Sequence, residues 1–399
     1  MNGGLPATES RNLQVPQGEF ELQRNPRDGR LQAWDAADEF LLNHLHDLQP
    51  LSRHCRLLIL NDTFGALAVA LAEYQVYSWN DSYLAQQALR SNLEANGYPA
   101  TQVKTNSGIE LPKVSVDCVL IKVPKTLALL EHQLYALRPL LHHDSRIFGA
   151  GMARNIHNST LELFESIIGP TTTTRAMRKS RLILVERDQA LSDGRSPYPD
   201  SYELEVDRRY RIVNHASLFS RDRLDRGSKL LIEHMPIDPR FRRIVDLGCG
   251  NGVIGIVAAS LNPAANLLFR DESYMAIASA ETNFRAAFAT TRSAVFEVDD
   301  CLQGVADGSQ DLVLINPPFH QQHSVGDAIA WRMIKDARRA LTRGGELRLV
   351  GNRHLAYHAK IKKLFGNCET IASNKKFVVL RASKNPIGAD SRQARKALV

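Results

Sequence analysis

Four consecutive residues, Asn316, Pro317, Pro318 and Phe319, hold the chain's clearest chemical potential. They follow the apolar run Leu312-Val313-Leu314-Ile315, which has the unbroken hydrophobicity of a parallel strand buried on both faces. Two prolines in succession fix φ and donate no hydrogen bond, so the chain leaves the sheet stiff and extended, its carbonyls free to accept. Asn316 adds a side-chain carbonyl beside that of Pro317, and Phe319 adds an aromatic face. Two acceptors and a ring suit a planar group bearing an NH2. The lone pair of such an amine is delocalised and weakly nucleophilic. Gripping both hydrogens turns the nitrogen toward an electrophile, a contribution of orientation and charge placement. A strand-end Asn-Pro-Pro alone is more often a plain turn, so this chemistry requires a cofactor site elsewhere in the chain.

Such a site is encoded upstream. Arg243 to Leu247 is an apolar strand pattern running into Gly248-Cys249-Gly250-Asn251-Gly252, and a helical pattern follows through Val253, Ile254, Ile256, Val257 and Ala258. Small residues there let backbone approach a ligand at the C-terminal edge of a parallel sheet. A dinucleotide is disfavoured because Asp246 lies inside the turn, where it would repel a pyrophosphate but suit an ammonium. A second strand pattern ends at Asp271-Glu272, placed for ribose hydroxyls. A third ends at Asp299-Asp300-Cys301, where a carboxylate can meet an adenine amino group.

This ordered set resembles the class I S-adenosylmethionine-dependent methyltransferases: Asp-Leu-Gly-Cys-Gly-Asn-Gly, acids after the next two strands, then Asn-Pro-Pro-Phe. The last signature is similar to that of enzymes methylating exocyclic amino or amide nitrogens. The resemblance implies S-adenosyl-L-methionine as cofactor, and a capping role at its methionine end for Phe219, Ser220 and Gly227. A plain helix N-cap at Asp225 or Ser228 is the competing account of that stretch.

The rest of the chain must position these groups. At 399 residues there is room for two α/β domains, each with its own core. Hydrophobic content of 44% and charged content of 23% are those of a globular protein, with no apolar run of membrane-spanning length and no signal-peptide pattern. A cytoplasmic location is expected. Cys55, Cys118, Cys249, Cys301 and Cys368 lie mostly on apolar patterns without Cys-x-x-Cys spacing, which predicts reduced thiols. The pair His320 and His323 has no third ligand evident in the sequence and methyl transfer needs none, so no metal is expected; these histidines are assigned to the target pocket. A formal charge of +7 and pI near 9.2 favour an anionic partner.

The first half of the chain repeats the second. The stretch 56–65 matches the strand and turn ending at Gly252, Trp79-Asn80-Asp81 matches Phe269-Arg270-Asp271, and 117–125 matches 311–319. The strand at 147–151 matches that at 347–351. A slowly drifting offset between matches signals one ancestral unit used twice. In the first copy Asn61-Asp62-Thr63-Phe64-Gly65 replaces the glycine-rich turn, and Lys122-Val123-Pro124-Lys125 replaces Asn-Pro-Pro-Phe. The bulky turn should fill the crevice. Lys122 and Lys125, with Arg175 and Arg178, suit phosphates or are solvated surface charges.

The expected architecture is therefore two tandem Rossmann-like domains with seven-stranded mixed sheets, the first degenerate. Residues 1–190 form the scaffolding or RNA-binding copy, 191–202 a linker, and 203–399 the catalytic domain. An amphipathic helix is predicted over 31–45, another over 328–341, and a closing strand pair at 370–373 and 377–381.

Nearly end to end, the chain resembles the ribosomal RNA large subunit methyltransferase G family, through 31–42, the degenerate copy, Phe219 to Asp225, 245–252 and 316–323. That resemblance implies N2-methylation of a guanine in 23S rRNA; the base must flip from its stack, most cheaply in a loop or bulge, and a monomer is favoured with the oligomeric state left open. Alternatives are a small-subunit (16S) guanine-N2 methyltransferase, a protein glutamine methyltransferase, and a non-catalytic RNA-binding assembly factor.

Overall fold

The computed structural model describes residues 12–26, 31–48, 51–191, 194–318 and 323–384, with backbone alone at 323–326. Compact units meet at Tyr198–Pro199.

The first unit contains β1 (Asn12–Val15), β2 (Gly18–Glu21), α1 (Ala36–Asp47), β3 (Arg56–Leu60), α2 (Ala66–Ala70), β4 (Gln75–Asn80), α3 (Tyr83–Ala95), β5 (Lys104–Ser107), β6 (Val116–Lys122), α4 (Leu127–Leu137), β7 (Leu141–Met152), α5 (Asn158–Ile167), β8 (Thr171–Thr173) and β9 (Ser180–Val185). Its sheet runs β5-β4-β3-β6-β7-β9-β8. The strands from β5 to β7 are parallel, and β9 is antiparallel to β7 and β8. Leu57 and Ile59 face the core under α1, α2 and α3; Leu58 and Leu60 face that under α4 and α5. Both faces of the strand are therefore buried, which is why it reads as a continuous apolar run.

The second unit repeats this plan with β10 (Asp200–Glu205), β11 (Arg209–Asn214), α6 (Arg226–Glu233), β12 (Arg243–Leu247), α7 (Val253–Leu261), β13 (Asn266–Asp271), α8 (Tyr274–Phe288), β14 (Ala294–Val298), β15 (Gln310–Ile315), α9 (His323–Ala340), β16 (Leu341–Asn352), α10 (Tyr357–Phe365), β17 (Glu369–Ser373) and β18 (Phe377–Ser383). The sheet order is β14-β13-β12-β15-β16-β18-β17. Two seven-stranded mixed sheets of identical topology are thus present, as the duplicated motifs predict.

Differences from expectation are local. Residues 200–214, partly assigned to the linker, form the antiparallel pair β10–β11, whose Leu204, Tyr210 and Ile212 join the core. The charges between those apolar positions hide the alternation. α9 begins at His323 rather than at 328, and β16 begins at Leu341, pairing with Gln310 across a register shift. The helix expected over 31–45 is α1, which starts at Ala36 and packs on β7 and β9. None of the five cysteines is bridged.

Candidate active site

The chain passes from β12 outward to β13 and β14, then returns to the other side of β12 for β15. The strand order reverses between β12 and β15, where open α/β sheets bind ligands. Leu247 pairs with Ile315 across that boundary, so Gly248 and Asn316 leave the sheet side by side.

Asn316 is held from one end. Its Nδ2 donates to Ser228 Oγ at 2.8 Å and to Asp225 Oδ2 at 3.2 Å. A carboxylate can only accept, so this pairing fixes which end of the amide is the NH2. The same Asp225 oxygen caps α6, accepting from Gly227 and Ser228 N–H at 2.9 and 3.0 Å. A Cβ on Gly227 would lie 2.9 Å from that oxygen, so this glycine keeps the clamp open. The other end of the amide, Asn316 Oδ1, is buried and accepts no hydrogen bond among the described residues. An orphaned buried acceptor costs about 1–3 kcal/mol, which a ligand N–H would recover. Pro317 is buried and Pro318 exposed.

The glycine turn opens the neighbouring space. Gly248, Gly250 and Gly252 have φ of +71°, +54° and +79°, which glycine adopts without strain. A Cβ on Gly250 would meet nothing within 4 Å, and one on Gly248 only Met333 Cε at 3.0 Å. On Gly252 it would press Ala280 at 2.9 Å, so the first two glycines leave room for a ligand and the third lets α7 approach α8. Asp246 is fully buried; Oδ2 accepts from Gly255 N–H at 2.8 Å, while Oδ1 has no partner among the described residues. Burial pushes its carboxyl up to about 8. Asp271 ties this turn to β13, accepting from Gly250 and Ser273 N–H at 3.0 Å each, beside half-buried Glu272. Asn251 faces β11 through Asn214 Oδ1 at 2.9 Å, and Cys249 is packed in the core.

Buried Arg270 organises the third turn. It pairs with Glu297 and Asp299 and donates to the Cys301 and Gln303 carbonyls. Asp299 places its other oxygen on the Asp300 amide, whereas Asp300 pairs with Arg332 of α9. Cys301 adopts a φ of +49° and bends the loop.

The family description "RLMG N-terminal domain" matches residues 10–189, and "Methyltransferase small domain" matches 209–381. A protein of Streptomyces coelicolor called ribosomal RNA large subunit methyltransferase G is 48% identical over 379 residues, covering 93% of this chain and 100% of that one. The chain belongs to the ribosomal RNA large subunit methyltransferase G family. Its Pseudomonas aeruginosa PAO1 member is 49% identical over 373 residues, covering 93% of this chain and 99% of its own. The T. thermophilus 16S rRNA N2 G1207 methyltransferase (RsmC), solved with AdoMet and guanosine, superposes with a TM-score of 0.75 at 21% identity. It covers 94% of this chain and 97% of its own, so the duplicated fold is shared throughout.

Family membership leaves the first copy's chemistry to be read from its own residues. Asp35 caps α1 as Asp225 caps α6, and Asp38 stands where Ser228 does. Lys122, the counterpart of Asn316, reaches both carboxylates at 2.7 Å. The expectation that Lys122 meets phosphates is therefore wrong: its ammonium is largely buried and paired within the domain. Asn61 takes the place of Gly248 with a φ of +61°, and its side chain bridges to the Lys122 carbonyl and Gln133. This crevice is plugged, as the bulky turn predicts.

Among the other nominated residues, Lys125 and Arg175 are exposed, and Arg178 is exposed but paired with Glu39. Phe219 is exposed and Ser220 has a φ of +53°. Phe319 and His320 lie outside the described residues, as does the His323 side chain. Sequence reasoning did not nominate Asp225 and Ser228 as partners of Asn316. It also passed over exposed Arg353, Lys375 and Lys376, which gather where the β17–β18 turn meets the end of β16.

Burial raises the Asp38 carboxyl, whereas the Lys122 ammonium outweighs desolvation at Asp35 and holds it below the usual range. Lys122→Ala would leave both carboxylates uncompensated and should cost about 3–5 kcal/mol at neutral pH. The deficit relative to wild type should shrink on acidification, as Asp38 takes up a proton and ceases to need the ammonium. Urea denaturation of both proteins from pH 7 to pH 4 checks this.

Proposed function

We propose that this protein transfers a methyl group from S-adenosylmethionine to the exocyclic N2 of a guanine in 23S ribosomal RNA. The observation that carries the proposal is the buried, unfilled Asn316 Oδ1 at the reversal of strand order; the Pro317 carbonyl next in the chain would be the second acceptor. Two acceptors match the two hydrogens of the amine. The large-subunit reading rests on relatives near half identity; the 16S enzyme shares the fold at 21%.

S-adenosylmethionine fits the second unit's open turn and would supply an electrophilic sulfonium methyl. Asp246 Oδ1 would accept from its ammonium, Glu272 and the remaining lone pairs of Asp271 from its ribose, and Asp300 from its adenine. With both Asp299 oxygens engaged by the protein, the adenine contact falls to Asp300. Phe219, Ser220 and Gly227 would cap the cofactor's methionine end.

Asn316 and Pro317 grip the amine and aim its lone pair; Phe319 stacks on the base, a contact of about 1–3 kcal/mol. With Asn316 and Pro317 holding the amine, the sulfonium would supply its methyl carbon to the N2 lone pair and keep the C–S electron pair. The N2 proton is acidified as the nitrogen alkylates and leaves to water, so no strong general base is required. A guanine must leave its stack to reach this crevice, most cheaply from a loop or bulge. Arg353, Lys375 and Lys376 offer the catalytic copy's own phosphate contacts, with Lys125, Arg175 and Arg178 serving the first domain. Methyl transfer from a sulfonium needs no metal, and a ribosomal RNA substrate fits a cytoplasmic location.

N2-methylguanine should disappear from one position of 23S rRNA in cells lacking the protein and return with the wild-type gene. Asn316→Ala should not restore it, with turnover down by about 10²–10³ while calorimetry shows unchanged cofactor affinity. An ammonium prefers ionised Asp246, so as pH rises toward about 8 the wild type should gain cofactor affinity relative to Asp246→Asn, a comparison in which the ligand's own titration cancels. Calorimetric titration across pH 6.5–9 (roughly the span around that value) measures it.

A further inference from the structure

A second orphaned amide lies one strand from Asn316. Asn352 ends β16, the neighbour of β15, and is 7% exposed, yet its Oδ1 accepts nothing among the described residues. Its direction follows from strand alternation. Leu314 and Val350 share the core under α6, so Asn316 and Asn352, each two residues further on, lie on that face. The intervening Gly351 faces the other way, where an added Cβ would press Tyr357 of α10. Phe377, paired with Asn352 across β18, reaches the clamp itself: it lies 3.4 Å from the position of a Cβ on Gly227.

The silent copy supplies an internal control. Met152 ends β7 as Asn352 ends β16, before the same single 3-10 turn. The backbone bond from Ala153 N–H to the Lys179 carbonyl recurs from Arg353 to Lys376. Where Lys122 has replaced the amine acceptor, a thioether has replaced this carboxamide. A polar group that only supported the fold would be needed in both copies. One that awaits a ligand is needed in one.

We propose that Asn352 reads the Watson–Crick edge of the target guanine, its Oδ1 accepting from N1–H and its Nδ2 donating to O6. Guanine carries N1–H beside the N2 amine, so a base held by Asn316 presents this second donor alongside. The inference rests on the reading of Asn316 as the amine acceptor. Asn352 thereby selects the base, while Asn316 orients the reacting atom.

The test substitutes 2-aminopurine for the target guanine in a 23S rRNA segment; this base keeps the N2 amine but lacks N1–H and O6. The wild type should favour guanine in kcat/KM by at least about 10-fold, because a site built to pair a donor rejects the analogue lacking it. Asn352→Met should bring that ratio close to unity with calorimetric cofactor affinity unchanged. Asn352→Asp, which still accepts from N1–H, should retain a preference for guanine. A wild-type ratio in Asn352→Met overturns the assignment. Full turnover in Asn316→Ala would instead overturn the reading beneath it.

Discussion

An amide can serve as a one-directional acceptor only if its donor end is already engaged. At Asn316 that engagement comes from Asp225 and Ser228, contributed by the first turn of α6, some ninety residues upstream. A single Asp225 oxygen therefore starts a helix and fixes the polarity of the Asn316 amide. The consequence is an unsatisfied side-chain carbonyl near a turn kept open by glycines. Among the described residues this acceptor is left unpaired, at a cost of about 1–3 kcal/mol that a ligand N–H would recover.

The duplication shows how little separates a working site from a closed one. Sheet order, the cap on the helix ahead of the first strand and the positive φ at the turn are common to both units. Serine becomes Asp38, asparagine becomes Lys122, and glycine becomes Asn61. The exchanged residues form a closed set: an ammonium between two carboxylates, and a carboxamide bridging the neighbouring strands. The first copy thereby satisfies internally the groups that the second reserves for ligands. It has kept the scaffold and given up the cavity, which frees its surface for other contacts.

The sheets and the order of motifs were legible because doubly buried parallel strands produce unmistakable apolar runs, and because glycine turns and a double proline fix their ends. The Asn316 acceptor was legible for the same reason. Its clamp was not. Asp225 and Ser228 look like ordinary capping residues, and only folding brings them to the strand end. Lys122 misled more thoroughly, since a lysine beside Pro124 and Lys125 suggests open basic surface, while its partner Asp35 lies 87 residues away. The pair β10–β11 escaped notice because charged residues interleave its apolar positions, and Arg270 because a strand-end arginine does not announce a buried hub. In each case the hidden element is a polar partnership made at long range, which periodicity cannot encode.

The central claim, that Asn316 presents its carbonyl to a guanine amine, is tested most directly by a crystal structure of the protein with S-adenosylhomocysteine and its RNA target. The account predicts guanine N2 within about 3.2 Å of both Asn316 Oδ1 and the Pro317 carbonyl, with Nδ2 still on Asp225 and Ser228. A structure in which N2 sits beyond about 4 Å from Oδ1, or in which Oδ1 has turned to a protein donor, would contradict it.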